Sequence, residues 1–252
     1  MIWKIPLLAA MLASLAGCPV TQPQGTPVPE RHEVDEGTGR SYYIYVPTTY
    51  HRSRPVPLII TCHGTNPYDT ADMHIREWKM IGQNLNAIVV APVLTATDGI
   101  FGDGPPNGML LDERYIMSLI SELGYHYNID MANIMITGFS GGGFPAYWVG
   151  LRHPDIFSVI AARNCNFNQR NTAGWFPPEA TSIRVFVYYG ENDPGPIRDQ
   201  SMTAIKFLRA SGFAVETIEI PGAGHERHPE YALDFFIKNR RPPRPSLPSE
   251  TK

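Results

Sequence analysis

The residues with the clearest chemical potential form the segment Gly138-Phe139-Ser140-Gly141-Gly142, which has the pattern Gly-x-Ser-x-Gly. A β-type apolar run precedes this segment and a helix candidate follows it, which is the setting of an elbow that exposes a nucleophile. Side chains two positions before and after such a serine would collide with the neighbouring strand and helix, so glycine suits both places. Ser140 is therefore the predicted nucleophile, and the alternative is a glycine-rich turn without chemistry.

A serine hydroxyl becomes a strong nucleophile only when a base takes its proton, and His225 is the predicted base. It follows a predicted strand over 215–220 and the turn Pro221-Gly222-Ala223-Gly224, which would hold an imidazole over the carboxyl edge of a sheet. His228 is the rival candidate, but it falls in the segment that opens the last helix. Four other histidines are predicted to lie in solvent: His32, His51, His74 and His153.

The base needs an acid that fixes its tautomer and stabilises the imidazolium. Asp193 follows a predicted strand over 184–189 and belongs to the segment Gly190-Glu191-Asn192-Asp193-Pro194. This segment is also an Asp-Pro turn, and such a turn would present the carboxylate. Asp193 is the predicted acid, and Glu191 stays open as the alternative.

The negative oxygen of a tetrahedral intermediate is stabilised by N–H donors aimed at it, each worth about 3 kcal/mol. The backbone N–H groups of Thr65 and Gly141 are the predicted donors. Thr65 belongs to the loop His63-Gly64-Thr65 after a predicted strand. Gly64 lets this loop approach a substrate closely and is a predicted binding residue, whereas His63 is predicted to be structural and bonded within the loop.

Strand and helix patterns alternate along the chain and must position these residues. Repeated strand–helix–strand units predict an α/β fold with a mostly parallel sheet, helices on both faces and function at the carboxyl ends of the strands. The helix over 111–125 is expected to carry Asp112 and Glu113 in its first turn, where the helix dipole favours acids. The predicted strands cover 31–34, 41–46, 57–62, 87–93, 133–137, 159–163, 184–189 and 215–220, and the predicted helices cover 72–85, 111–125, 141–152, 199–210 and 229–239.

The order His-Gly, Gly-x-Ser-x-Gly, Glu-Asn-Asp and Gly-x-Gly-His resembles the α/β-hydrolase superfamily. Within it the chain is similar to secreted esterases grouped with polyhydroxybutyrate depolymerases and feruloyl or acetylxylan esterases, over about residues 31–240. The resemblance implies an α/β-hydrolase fold and ester hydrolysis through an acyl-enzyme, with Ser140, Asp193 and His225 in the expected chain order and no cofactor. No large insertion follows the sixth predicted strand, so any lid must be small.

Two loops at the carboxyl edge of the sheet, over 95–110 and 166–180, are predicted to form the acyl pocket. The predicted substrate is a small-molecule, polysaccharide or polyester ester with an aromatic or short acyl group. Trp175 and Phe176 are the predicted binding residues, and packing of these side chains on the sheet is an equal alternative. The remaining apolar residues of the two loops are Phe101, Pro105, Pro106, Met109 and Phe167.

Two other functions stay open at this point. A serine peptidase of the prolyl-oligopeptidase kind shares the elbow and the triad, although such peptidases usually carry a large extra domain. A surface protein could instead use a hydrolase fold for binding only, but it would have no need to keep an intact Ser, Asp and His.

The first residues have the composition of a secretory signal, with Lys4 followed by an apolar run and small residues. The run is shorter than the roughly 20 residues that span a bilayer as a helix. Its end, Leu15-Ala16-Gly17-Cys18, resembles the bacterial lipobox. That resemblance implies cleavage before Cys18, lipidation of its thiol and attachment to a membrane surface of the bacterial cell envelope.

These patterns divide the chain into a signal peptide over 1–17, a flexible tether over 18–30, a catalytic domain over 31–240 and a loose Pro-rich tail over 241–252. The formal net charge is −3 with no basic stripe, so no nucleic-acid partner is expected.

The segment His225-Glu226-Arg227-His228 lacks the His-Glu-x-x-His spacing of zinc helices, and no metal site is predicted. Cys62 and Cys165 are expected to be free, buried thiols on non-neighbouring strands, too far apart for a disulfide.

Overall fold

The computed structural model describes residues 25–97 and 107–246. The predicted lipidation residue Cys18 lies outside them, as do Phe101, Pro105 and Pro106. The strands are β1 Val28–Val34, β2 Ser41–Val46, β3 Val56–Cys62, β4 Ile88–Pro92, β5 Ile129–Ser140, β6 Val159–Cys165, β7 Arg184–Gly190 and β8 Ala214–Ile220. The α-helices are α1 Ala71–Leu85, α2 Asn107–His126, α3 Gly143–Arg152, α4 Gln169–Thr172, α5 Gly195–Ala210 and α6 Pro229–Lys238.

The strands form one sheet in the order β1-β2-β4-β3-β5-β6-β7-β8. β2 pairs antiparallel with β1 and β4, while the strands from β4 to β8 pair in parallel. The continuous apolar runs of β3, β4 and β6 are buried along their whole length, as expected for strands covered on both faces. Side chains of α2, α3 and α5 fill one side of the sheet, and those of α1 and α6 fill the other.

The parallel strands end at one edge of the sheet. In the register, Cys62 lies beside Gly138, Ser140 beside Cys165, and Gly190 beside Ile220. The loops that follow β3, β5, β7 and β8 therefore leave the sheet on the same side. This arrangement brings the candidate nucleophile, acid, base and oxyanion donors to one region, as the sequence predicts.

The structure differs from the sequence expectation at the start of α2. The helix begins at Asn107, so Asp112 and Glu113 do not lie in its first turn. Both side chains are buried and face protein partners rather than the helix end. Asp112 accepts hydrogen bonds from the backbone of Thr95 and Ala96, and its carboxylate pairs with Arg40 at 2.6 Å.

The ends of the folded region also differ from the limits predicted for the catalytic domain. β1 begins at Val28, inside the segment predicted as a tether. At the other end, residues 241–246 bind along β5 rather than forming a loose tail. The backbone N–H of Arg241 donates to Asn133 Oδ1 at 2.7 Å, and the N–H of Ser246 donates to the carbonyl of Ile129 at 2.7 Å. These bonds satisfy backbone groups that a loose segment would leave to water.

Cys62 and Cys165 are both buried and free. They lie on β3 and β6, which are separated by β5, as expected. Burial raises the pKa of both thiols, to about 12 at Cys165. Within the described ranges, no helix is both long enough and apolar enough to cross a membrane.

Candidate active site

Ser140 stands at the apex of a tight turn between β5 and α3. Its φ is 52°, in the left-handed region that few non-glycine residues adopt. The N–H of Gly142 donates to the carbonyl of Phe139 at 2.8 Å and closes the turn. A Cβ added at Gly138 would lie 2.3 Å from the carbonyl oxygen of Gly142, and one at Gly142 would lie 2.3 Å from that of Cys62. Both positions therefore require glycine for the reason that the motif suggests.

The predicted acid and base are hydrogen-bonded. His225 Nδ1 lies 2.6 Å from Asp193 Oδ1, and the Asp193 side chain is fully buried. Because a carboxylate only accepts, the Nδ1 of His225 carries the proton, and Nε2 is left as the basic nitrogen. The ring of His225 also packs on Phe139, the neighbour of Ser140, with 4.7 Å between ring centroids.

Among the described residues, no hydrogen bond reaches Ser140 Oγ. In structures without substrate, catalytic hydrogen bonds are often long and tighten only when the reacting complex forms. The packing of His225 on Phe139 places the candidate base next to the residue that precedes the candidate nucleophile at the elbow.

The alternative acid and base occupy other positions. His228 has φ 42° at the start of α6, and its Nδ1 lies 3.1 Å from Glu230 Oε1. Glu191 accepts the N–H of Gly222 at 2.8 Å and so braces a turn. The structure therefore joins Asp193 to His225 and assigns neither alternative to the triad.

The loop after β3 lies against the elbow. A Cβ added at Gly64 would lie 3.2 Å from the Cβ of Ser140, and one added at Gly141 would lie 2.9 Å from Thr65 Oγ1. Neither the N–H of Thr65 nor that of Gly141 donates to an acceptor among the described residues. Two unoccupied donors beside the nucleophile suit an oxyanion hole. His63 is bonded as predicted, with Nδ1 2.8 Å from the carbonyl of Gly64, and Nε2 also accepts the N–H of Leu94.

Asn164 is a site residue that sequence reasoning missed. It is the second-last residue of β6 and has φ 48°, and its Oδ1 accepts the N–H of Gly190 at 2.9 Å. Its amide nitrogen donates to the carbonyl of Glu226 in the loop that carries the base. One side chain thus holds the acid loop and the histidine loop together. An asparagine at the carboxyl end of a buried strand is the only sequence signal for this role.

The prediction that His74 lies in solvent is wrong. The side chain is completely buried on the face of α1 that packs on the sheet, together with Ile75 and Trp78. Its Nδ1 lies 2.7 Å from Thr61 Oγ1, and its Nε2 lies 2.8 Å from Asp69 Oδ2. A polar residue on an apolar helix face is compatible with burial when both ring nitrogens find partners.

The predicted binding residues Trp175 and Phe176 are not brought to Ser140. The ring of Phe176 packs on Phe207 and Phe213. Trp175 is 47% exposed, its ring lies 5.9 Å from that of Trp148, and its carbonyl accepts a bond from Arg152, the last residue of α3. The packing alternative therefore applies to Phe176, because an apolar ring that finds a core releases more free energy than a ring left in water. Met109 and Phe167 are buried in the same core.

A cleft of about 430 Å³ opens beside the base. The ring of His225 forms part of its wall, consistent with the 30% exposure of this side chain. The sequence does not predict the cleft because its walls come from α1, β5 and the segment before α6. The lining is rich in charge and consists of Glu77, Phe139, His225, Glu226, Arg227, His228, Pro229 and Glu230. In the part of the chain that the structure describes, no group of three or more His, Cys, Asp or Glu side chains could hold a metal ion.

Comparison with known proteins gives distant likenesses. No family model matches the chain. A stretch of 116 residues is 24% identical to a bifunctional acetylxylan esterase/xylanase of Neocallimastix patriciarum. The match covers 45% of this chain and only 16% of the length of that protein.

Solved structures agree over more of the chain. A ferulic acid esterase of Anaeromyces mucronatus is similar with a TM-score of 0.64 at 18% identity, over 88% of this chain and 94% of that one. The dipeptidyl peptidase 4 of Porphyromonas gingivalis is similar with a TM-score of 0.60 at 13% identity, over 84% of this chain and 36% of that one. With the strand order and the elbow at Ser140, these likenesses show that the chain has the α/β-hydrolase fold.

Proposed function

We propose that this protein is a serine carboxylic-ester hydrolase that works through an acyl-enzyme. The observation that carries the proposal is the 2.6 Å bond between His225 and Asp193, with the His225 ring packed on Phe139, the residue before Ser140 at the elbow. A histidine with Nδ1 fixed by a buried carboxylate, next to an elbow that carries a half-buried serine, is the arrangement that activates a hydroxyl nucleophile.

In the first half-reaction, Ser140 Oγ attacks the ester carbonyl carbon while His225 Nε2 accepts the hydroxyl proton. The carbonyl oxygen becomes an oxyanion, and the N–H groups of Thr65 and Gly141 stabilise it. When the intermediate collapses, the bond to the alcohol breaks and His225 returns the proton to the leaving oxygen. The acyl group stays on Ser140.

In the second half-reaction, water replaces the alcohol. His225 takes a proton from the water, whose oxygen attacks the acyl carbon, and the same two N–H groups stabilise the second oxyanion. Collapse releases the carboxylic acid and restores the proton to Ser140 Oγ. Asp193 keeps the imidazole in the required tautomer through both steps and stabilises its charged form.

For the substrate, we propose a small-molecule or polymer-linked ester with an aromatic or short acyl group. The proposal is supported by the likeness of the chain to an acetylxylan esterase/xylanase and to a ferulic acid esterase. Hydrolysis of p-nitrophenyl acetate without hydrolysis of an aminoacyl-nitroanilide is the expected result. The reverse preference would instead indicate a peptidase.

The experiment that tests the catalytic proposal is labelling with a fluorophosphonate, a probe that reacts only with an activated serine. The label is expected on the peptide that contains Ser140, and Ser140→Ala is expected to fold normally but to lose the label and nearly all ester turnover. Heat-denatured protein is the control for non-specific reaction. No label on protein shown to be folded would contradict an assembled triad and favour a binding function.

We also propose that the mature protein is anchored to a membrane of the bacterial cell envelope by lipid on Cys18. The support is the order Leu15-Ala16-Gly17-Cys18 after a short apolar run with a charged start. Acyl chains on a cysteine tether a protein to a membrane surface without a spanning helix.

A further inference from the structure

Asp69 has a buried carboxylate that contacts the loop carrying Gly64 and Thr65. It is 5% exposed and lies between that loop and the start of α1. Its Oδ2 accepts the backbone N–H of Gly64 at 2.5 Å and lies 2.8 Å from His74 Nε2. Its Oδ1 accepts two bonds from the guanidinium of Arg227, one of them from Nε at 3.0 Å. Both oxygens of the carboxylate are therefore occupied.

The contacts of His74 fix the direction of its bond to Asp69. Arg163 Nη2 lies 3.3 Å from His74 Nδ1, and an arginine can only donate. Nδ1 must therefore be an acceptor, so the proton of the neutral ring sits on Nε2 and is donated to Asp69. Burial lowers the pKa of His74, which keeps the ring neutral. Asp69 thus receives donors from three separate segments: the oxyanion loop, α1 and the segment after His225.

Arg227 links this carboxylate to the base. It follows His225 by two positions, and its guanidinium lies 5.4 Å from the centroid of the Phe139 ring. The same Phe139 ring packs on His225. A continuous set of contacts therefore runs from the Gly64 N–H through Asp69 and Arg227 to the loop of the catalytic histidine.

We propose that Asp69 and Arg227 are positioning residues whose ion pair holds the oxyanion loop and the histidine loop in register around Ser140. The inference rests on the proposed esterase function. Donors and a base stabilise a transition state only if they are fixed before reaction, because reorienting them during the step costs part of the gain. Loss of the pair is expected to slow the chemical step without weakening substrate binding.

The chain offers a matched control in the ion pair of Arg152 with Glu113. The side chains of Arg227 and Asp69 are 31% and 7% exposed, and those of Arg152 and Glu113 are 29% and 11% exposed. The control pair lies at the far end of α3, away from the elbow. Replacing either arginine by glutamine removes a half-buried charge from a buried carboxylate, so the two losses of stability should be similar.

The test measures kcat, KM and the rate of fluorophosphonate labelling for the full chain with p-nitrophenyl acetate as substrate. Arg227→Gln is expected to lower kcat and the labelling rate by roughly 10- to 100-fold with KM within about threefold, the pattern of a lost transition-state interaction. Arg152→Gln is expected to keep the kcat of the wild type despite a similar fall in Tm. Arg227→Lys retains the positive charge but loses the planar guanidinium that donates two bonds to Asp69. Its kcat and labelling rate are expected to lie between those of Arg227→Gln and the wild type.

Wild-type kcat and labelling in folded Arg227→Gln would overturn the inference, as would an equal loss in Arg152→Gln. If Arg227→Gln does not fold, three other variants test whether the pair acts as a unit. They are Asp69→Asn, Arg227→Lys and the double variant that combines both substitutions. Residues that act as a unit give non-additive losses in kcat, and additive losses would contradict the pair. Absence of labelling in the wild type would instead remove the proposed function, so the two failures are distinguishable.

Discussion

Ser140, the proposed nucleophile, occupies a backbone conformation that an L-residue adopts only at a cost. The φ of 52° at Ser140 costs about 1–3 kcal/mol, which the surrounding contacts must offset. Those contacts depend on the absence of side chains at Gly138 and Gly142, whose α-carbons face backbone oxygens of neighbouring segments. The position of the reactive hydroxyl is therefore determined by steric exclusion as much as by attraction.

Replacement of Gly138 by alanine tests this steric requirement. The new Cβ would meet the Gly142 carbonyl at 2.3 Å, so the turn must shift. We expect Gly138→Ala to lower the free energy of unfolding by about 1–3 kcal/mol and to reduce ester turnover strongly. Chemical denaturation and a p-nitrophenyl acetate assay measure the two effects.

Gly124→Ala is the matched control for that substitution. A Cβ added at Gly124, which lies in α2, would have the Cβ of Ser246 as its nearest neighbour at 3.8 Å, an ordinary contact distance. Alanine has the higher helix propensity, so a stability change between zero and a gain of about 1 kcal/mol is expected. Equal behaviour of the two variants would show that the elbow tolerates a Cβ.

The positions of the candidate site residues are predictable from the sequence where they follow from local spacing. Ser140, Asp193 and His225 each come directly after a strand or its short turn, and parallel strands bring such positions together. The pairing of Asp69 with Arg227 joins residues 158 positions apart and has no local signature. For Trp175 and Phe176 the sequence leaves pocket and packing equally open, because apolar loop residues fit both by composition.

At the scale of elements, Glu113 fastens α2 to α3, the helix that follows the elbow. Its carboxylate accepts bonds from Trp148 Nε1 at 2.7 Å and Arg152 Nε at 2.9 Å, and His153 Nε2 lies at 2.8 Å. Burial alone would raise the pKa of Glu113, but these three partners outweigh it and lower the pKa to about 2. The ionised form is thus strongly favoured in the folded state.

This lowered pKa makes a prediction for acid stability. The usual pKa of such a carboxyl is near 4.5, so the stabilisation from Glu113 is fully present above pH 4.5 and is lost as the pH falls towards 2. We expect Glu113→Gln to lower the free energy of unfolding by roughly 2 kcal/mol at pH 7 and by progressively less below pH 4.5. Urea denaturation across this pH range measures the difference.

Glu216→Gln provides the comparison, because the pair of Glu216 with Lys238 is exposed on β8 and α6. Exposed pairs contribute little, so a change within about 0.5 kcal/mol is expected at every pH. A Glu113→Gln curve parallel to that of the wild type would show that the carboxylate is not held as the structure indicates.

Element boundaries were less predictable than element types. The strands and the five longer helices agree with the sequence prediction in kind and order, because long apolar runs and their spacing carry that information. The sequence does not predict the short helix α4 or the start of α2 at Asn107. It also does not predict the binding of residues 241–246 to β5, which depends on the tertiary partners Asn133 and Asp130. The Pro-rich, charged segment binds the sheet because its backbone N–H groups find side-chain acceptors on β5.

At the scale of the whole molecule, the proposed catalytic residues and the proposed lipidation residue lie in different parts of the chain. The described fold begins near β1, while Cys18 lies outside the described residues. A lipid anchor would place an esterase at a membrane surface without changing its site. The two proposals can therefore fail independently.

Fractionation of cells that produce the full chain tests the anchor. Wild-type protein is expected in the membrane fraction, and Cys18→Ser is expected in the soluble fraction, because without acyl chains little apolar surface holds it to the bilayer. Thr21→Ala, which leaves the cysteine intact, should remain with membranes. Membrane association of Cys18→Ser at the wild-type level would exclude lipidation of Cys18 as the anchor.

The proposed nucleophile and the proposed base follow strands that differ in how deeply they are buried. Ser140 ends the central β5, whereas His225 follows β8, which ends the described sheet and is mostly solvent-exposed. Regions with few buried contacts open in sub-global fluctuations well below the free energy of complete unfolding. Fraying of β8 would withdraw the imidazole while the serine elbow stays intact. Inactivation by mild denaturant should thus precede the cooperative transition, with amide hydrogens of β8 exchanging long before those of β5.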